Sequence, residues 1–540
     1  MGIKRYIANK DNTITNSFKP NLSNRATGSN MGAADVMEVF SIYGQMINSG
    51  STTGYAKTQE LSRVLVQFPV DNMSTDRDNG DIPVSGSVSF YLRVFNAKQS
   101  QTTPKNAIYV ITPVSSSWEE GYGMDLDDYT DATKDGTGSN WMNSAGSTSW
   151  SSVGGDYLNA NALTQTLVTG VEDIEIDISN IVENWILGLS GGGFENYGVG
   201  VHLTSSQEAY FSSSAGIDSG SIIQNTVGAQ RSFYTKKFFT HTSQFFFKRP
   251  IIEARWDSST RDDRGKVHYS SSLLTAADNL STLYLYNYVN GQLKNIPGLS
   301  SDGDIIFVQL HSGSAKNADP VSDALALVST TTYVGSSDNT VVTGGYVSKG
   351  IYSASFALTA AASPLTDVFD VWSLNESGVP GTQVFTSSFA PVVFRPSNTK
   401  TQPEYILNIS NLKDSYKNDG DSRFMVFCRQ KNWNPSIYTS ANASPLNYIL
   451  DDIYFRITRI IDGTEAIAFG TGSTTSPQSV GSAGSYTRLS YDASGSYFDL
   501  DMRMLEPGYN YQLEFAYFNN GSYRKARDEF KFRVEEDLDG

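Results

Sequence analysis

Cysteine is almost absent: the 540 residues contain one, Cys428. A lone thiol excludes an intramolecular disulfide and any site built on several cysteine ligands. Histidine is nearly as scarce, with only His202, His241, His268 and His311, which leaves little material for imidazole-based catalysis. No Gly-x-Ser-x-Gly elbow accompanies any of them, and neither a phosphate-binding glycine loop nor a dinucleotide fingerprint is present. Charged residues make up 18% of the chain, against roughly 25% in an average soluble domain. That charge is lopsided: 40 Lys+Arg against 56 Asp+Glu gives a net −16. Such a field repels phosphate backbones and argues against nucleic acid as a partner. No run of about 18 apolar residues occurs, so no membrane span is expected. The opening Met1-Gly2-Ile3-Lys4-Arg5-Tyr6 is basic but leads into no apolar leader segment, and Tyr6 stands where a myristoylation signal needs Ser or Thr. These shortages predict a non-enzymatic chain made in the cytoplasm.

Aromatic residues, by contrast, reach 12%, nearly all of them Tyr and Phe. Period-two alternation of apolar and polar residues dominates, over 61–68, 88–95, 284–289, 305–310, 352–358, 369–372, 424–428, 454–458, 511–517 and 530–534. Clusters of Gly, Ser, Thr, Asn and Asp between these segments supply turn chemistry. A helix is expected over 178–189, where Ile178, Ile181, Val182 and Trp185 share one stripe, while 35–44 fits either state. The expected class is all-β.

Four segments follow from the breaks. Residues 1–30, rich in Asn and poor in apolar side chains, read as an extended N-terminal arm that orders only against a partner surface. Residues 31–258 form the first domain, ending at the polar stretch Asp257-Ser258-Ser259-Thr260-Arg261-Asp262-Asp263-Arg264-Gly265. Residues 259–398 form a β-sandwich domain that closes at Arg395-Pro396-Ser397, where Pro breaks a strand ladder. Residues 399–540 form the last sandwich, ending on the acidic Glu535-Glu536-Asp537-Leu538-Asp539-Gly540. In it, Leu505-Glu506-Pro507-Gly508-Tyr509-Asn510-Tyr511 has the form of the tyrosine corner of Ig-like and fibronectin-like domains, or of an ordinary Pro-Gly turn.

The first domain carries the most distinctive text: Ser117-Trp118-Glu119-Glu120-Gly121, a polar loop with Trp141 and Trp150, Gly154-Gly155-Asp156, Val182-Glu183-Asn184-Trp185-Ile186-Leu187-Gly188, and Arg249-Pro250-Ile251-Ile252-Glu253-Ala254-Arg255-Trp256. This order resembles the DNRLRE-type jelly-roll domains of bacterial surface proteins and carbohydrate-binding modules. The family's opening D-x-x-[LV] strand is matched only loosely, by Asp11-Asn12-Thr13-Ile14. Taken whole, with its opening Lys4-Arg5-Tyr6-Ile7-Ala8-Asn9-Lys10 and the stretch Leu285-Tyr286-Asn287-Tyr288-Val289-Asn290-Gly291, the chain is similar to virion structural proteins of marine T4-like tailed phages. The resemblance implies an N-terminal jelly roll followed by two Ig-like sandwiches. It further implies a structural role in the tail, neck or baseplate, with other virion proteins and copies of itself as partners. The alternative it implies is an extracellular carbohydrate-binding or adhesion protein that meets a cell-surface glycan.

Two side-chain sets are candidates for binding chemistry. Trp118, Trp141 and Trp150 fit a platform for sugar rings or plugs in the mouth of the sandwich, the more usual use of a large buried ring. Asp125, Asp127, Asp128 and Asp131 offer hard oxygens suited to a structural Ca²⁺, or form a solvated loop; the EF-hand glycine is replaced by Thr130. Neighbouring carboxylates such as Glu119 and Glu120, or Asp451 and Asp452, point to opposite faces if they lie on strands, so they do not make a glycosidase pair.

Overall fold

The computed structural model describes residues 2–47, 55–99, 102–124, 128–134, 136–212, 220–301, 303–313, 323–328, 339–359, 365–375, 382–392, 403–432, 447–470, 485–519 and 521–537. The chain parts into two compact units, one of residues 3–256 and one of residues 257–540 together with 1–2. Both are built almost wholly from strands. The expected break near 398 lies outside the described residues, and the stretches on either side of it belong to one unit.

In the 3–256 unit two antiparallel sheets face each other. The smaller runs in the order Ile3–Ile7, Ile251–Arg255, Ser89–Val94, Ile174–Asp177. The larger runs Phe233–Phe239, Val36–Ile47, Tyr55–Gln67, Val199–Leu203, Ala107–Pro113, Leu163–Leu167, with Lys10–Thr15 paired to Tyr55–Gln67. This out-of-sequence, antiparallel order is that of a jelly-roll sandwich. One core joins the facing surfaces, with Tyr6, Phe90, Leu92, Ile174 and Ile252 from one sheet against Val39, Val64, Val66, Tyr109 and Phe238 from the other. Because side chains alternate across a strand, Leu61 and Leu65 face the opposite way and belong to a second apolar cluster outside the larger sheet. A strand buried on both faces explains why apolar residues occupy both alternating sets in 61–68, Leu61 and Leu65 in one and Val64 and Val66 in the other.

The first thirty residues are not an arm. Ile3–Ile7 pairs with Ile251–Arg255, and Lys10–Thr15 pairs with Tyr55–Gln67 from Lys10↔Gln67 to Thr15↔Ser62. Ile3, Tyr6 and Ile14 are buried. A count of apolar side chains weighed against backbone entropy treats the segment as if it had to fold alone. Its hydrogen-bond partners are strands whose ordering is already accounted for by the rest of the sandwich.

The expected helix is present as Ser179–Leu187, with Ile181, Val182 and Trp185 buried and Gly188 at φ +59° closing it. A second helix, Val70–Asp78, was not legible: its text is polar on every face and only Val70 and Met73 are buried. Arg77 ties the two helices through a bidentate pair with Glu183 at 2.6 and 2.7 Å. The ambiguous 35–44 is strand.

In the 257–540 unit, a six-stranded antiparallel sheet runs Ser281–Tyr286, Ile351–Phe356, Val341–Ser348, Ile305–Gly313, Asp367–Ser373, Gln383–Phe389, over a core that includes Leu283, Val308, Tyr352, Phe356 and Trp372. The C-terminal part is an Ig-like sandwich. A four-stranded sheet (Tyr405–Ile409, Asp421–Gln430, Gly495–Asp501, Ser490–Asp492) accompanies a five-stranded one (Ser415–Lys417, Ser522–Glu535, Asn510–Asn519, Ile453–Arg459, Glu465–Ile467). Between them the rings of Phe424 and Phe498 stack at 5.0 Å and those of Phe498 and Phe455 at 4.3 Å, with Phe515 edge-on to Phe498. The tyrosine corner is formed: Tyr511 Oη donates to the Glu506 carbonyl at 2.7 Å. Segment 261–266 links the two parts of this unit. Arg264 grips the buried Asp370 bidentately at 2.6 and 2.8 Å, and Tyr491 Oη donates to Asp263 at 2.9 Å.

Candidate functional site

The three tryptophans lie together, but inside the protein. Trp118, Trp141 and Trp150 are 4%, 0% and 5% exposed and form the second cluster with Ile14, Leu61, Leu65 and Val114. Each indole N–H donates to a main-chain carbonyl at 2.8 Å: Trp118 to Tyr197, Trp141 to Ser221, Trp150 to Asn140. Rings sealed in this way present no face to a sugar, so the carbohydrate-binding assignment of these residues is corrected to a plug over the larger sheet. The Gly-Gly-Asp element serves the same plug. Gly154 has φ +83° and a Cβ there would meet the Trp141 ring at 2.9 Å. The Asp156 carboxylate accepts from the Ser151 and Ser152 amides at 2.9 Å each and from Ser116 Oγ at 3.0 Å.

Under the plug, Arg63 on the central strand is 8% exposed and pairs with Glu208 through two 2.9 Å bonds. His202 stands beside this pair. Burial, and then the neighbouring Arg63 guanidinium, push its imidazole down to about 4, although the Glu208 carboxylate lies 3.9 Å away. Nδ1 instead faces the Leu203 carbonyl at 2.8 Å, which fits a neutral ring. Cys428 is fully buried and its thiol is pushed up to about 12 by that burial, the state of a small apolar side chain rather than a nucleophile.

Of the acidic loop, Asp125 and Asp127 lie outside the described residues. Asp128 is exposed, and Asp131 Oδ2 accepts from the Met124 amide at 2.9 Å. Among the described residues these aspartates do not gather into a set of three ligands.

A different constellation does. Asp11, on the strand Lys10–Thr15, meets Glu120 of the Trp-Glu-Glu-Gly stretch and His241, just beyond the strand Phe233–Phe239. Asp11 Oδ2 accepts from the His241 amide at 2.6 Å and from its Nδ1 at 2.9 Å. Nδ1 also lies 3.5 Å from Glu120 Oε1, which in turn accepts from the Asp11 amide at 2.8 Å. The hydrogen bond to Asp11 raises the affinity of His241 for its proton, and burial raises the carboxyl of Glu120. Gly121 makes the turn possible: at φ +85° it lets Asn30 pack where a Cβ would stand at 2.3 Å, and Asn30 Nδ2 donates to the Glu120 carbonyl at 2.6 Å. More than a hundred residues separate each member from the next, so no spacing pattern signals the set. In the sequence Asp11 stood out only within a motif, Glu120 only within a motif and as half of a rejected carboxylate pair, and His241 only as one of four histidines.

Neither a family model nor a curated protein matches this chain. Among solved structures, the N-terminal Ig1-2 module of the Drosophila receptor protein tyrosine phosphatase DLAR aligns with 53% of this chain and 97% of its own length, at 11% identity and a TM-score of 0.14.

Proposed function

We propose that this chain is a non-enzymatic structural component of a tailed-phage virion, in the tail, neck or baseplate, that assembles by docking of its β domains on other virion proteins or on further copies of itself. The observation that supports this reading is the outer strand of the six-stranded sheet. Gln383–Phe389 is the last strand in the order of that sheet and pairs with Asp367–Ser373. Gln383, Val384, Phe385 and Thr386 are exposed, and the text Gln-Val-Phe-Thr-Ser-Ser-Phe holds no charge and no proline. Monomeric proteins blunt their sheet edges with Lys, Pro or a covering element. An uncharged, proline-free edge with Val384 and Phe385 exposed suits strand addition from a partner.

The test is a double substitution, Val384→Lys with Phe385→Lys. Both side chains are more than a third exposed, so the melting temperature should stay within a few degrees of the parent. Incorporation into particles, scored in a phage whose own copy is disabled, should fall at least tenfold. Incorporation at the parental level would remove this edge as the docking surface.

A further inference from the structure

We propose that Asp11, Glu120 and His241 bind one divalent transition-metal cation of the zinc type. The inference goes beyond the structural role and does not depend on it. The donor set decides the class of ion: one imidazole nitrogen with two carboxylates suits a borderline cation such as Zn²⁺, whereas Ca²⁺ takes oxygen ligands in larger number. The spacing agrees. His241 Nδ1 stands 2.9 Å from Asp11 Oδ2 and 3.5 Å from Glu120 Oε1, and ligand atoms held roughly 2.0–2.2 Å from a common cation sit roughly 3.0–3.5 Å apart around it.

The second, independent observation is an unmet need. Asp11 is 0% exposed, yet its Oδ1 has no hydrogen-bond partner. Buried polar atoms left unpaired are uncommon and costly, and a cation held by both oxygens of this carboxylate supplies Oδ1 with the missing partner while Oδ2 keeps its place beside His241. Entry is open, since the side chains of His241 and Glu120 remain 20% and 24% exposed, leaving room for water to complete the coordination shell. On binding, Nδ1 releases its proton to solvent and presents its lone pair to the metal. The ion then clamps together the first strand of the larger sheet, the Trp-Glu-Glu-Gly stretch and the turn after Phe233–Phe239.

Calorimetric titration of the chelator-treated full-length protein with Zn²⁺ tests this. The parent should bind one equivalent and melt higher with zinc than without, because a ligand of the native state stabilises it by mass action; Ca²⁺ at the same concentration should leave the melt unchanged. His241→Gln and Glu120→Gln should each weaken zinc binding at least tenfold. Glu120→Gln retains an oxygen to accept from the Asp11 amide, so its fold is preserved even if the His241 variant loses stability. Co²⁺ in place of zinc should give ligand-field absorption bands in the parent that vanish in the Glu120 variant. Failure of the parent to bind zinc, or undiminished binding by Glu120→Gln, overturns the proposal.

Discussion

Removing residues 3–15 should unfold the entire 3–256 unit while the 257–540 unit keeps its own melting transition. The deletion strips an edge strand from the smaller sheet and the partner of residues 62–67 from the larger. It also takes Ile3, Tyr6 and Ile14 out of the cores. Three such side chains are worth roughly 1.5–3 kcal/mol each, and the exposed ladders and cavities add to that. The sum reaches the roughly 5–15 kcal/mol by which a whole domain is stable. Differential scanning calorimetry of the truncated chain should therefore show one transition in place of the two expected of the parent chain, one for each compact unit. Two transitions within a few degrees of the parent would restore the view of this segment as a dispensable arm.

The second large effect concerns Glu253, which is 1% exposed and holds three arginines. Its carboxylate lies 2.8 Å from Arg5, 3.1 Å from Arg93 and 2.6 Å from Arg255, so it joins Ile3–Ile7, Ile251–Arg255 and Ser89–Val94 on the outer face of the smaller sheet. Burial alone would push its carboxyl up; the combined attraction of Arg93, Arg5 and Arg255 prevails and holds it far below the usual range. A buried ion network of this kind is not by itself a gain over an apolar one, but removing its most buried anion leaves three guanidinium groups crowded around a neutral side chain, with only the half-exposed Glu175 still beside Arg93 and Arg255. Glu253→Gln should cost about 3–5 kcal/mol, read by urea unfolding of the 3–256 transition. The pH dependence has a definite sign. A carboxyl whose folded-state pKa lies below its unfolded value stabilises fully above the unfolded value, about 4–5 for Glu, and that contribution drains away as pH falls toward the folded value. The parent should therefore lose stability on acidification below about pH 5 more steeply than Glu253→Gln. A cost under about 1 kcal/mol, with parallel acid profiles, would mean the arginines are satisfied by other partners.

The strands were legible where one physical signal dominated. The text of 61–68 and 88–95 shows strand character directly, because apolar residues on a two-residue period have no other stable use. The corner at Tyr511 was readable because Leu-x-Pro-Gly-x-x-Tyr encodes a local hydrogen bond, later found at 2.7 Å. Helix Val70–Asp78 escaped because only Val70 and Met73 touch the core. The tryptophans show the limit for sites: a Trp in a Gly-rich, Ser-rich loop reads alike whether it stacks on a ligand or plugs a sandwich. Only the carbonyls of Tyr197, Ser221 and Asn140 decide between the two. Asp11, Glu120 and His241 were invisible for a related reason, since the fold alone brings them together.

The proposed virion role is most directly tested by quantitative mass spectrometry of the purified, nuclease-treated phage particles that this role implies. The account expects the full-length chain in particles at a fixed copy number relative to the major capsid protein, unchanged by washing in high salt. Its absence from particles, or a copy number that falls with each wash, would contradict a structural place in the virion.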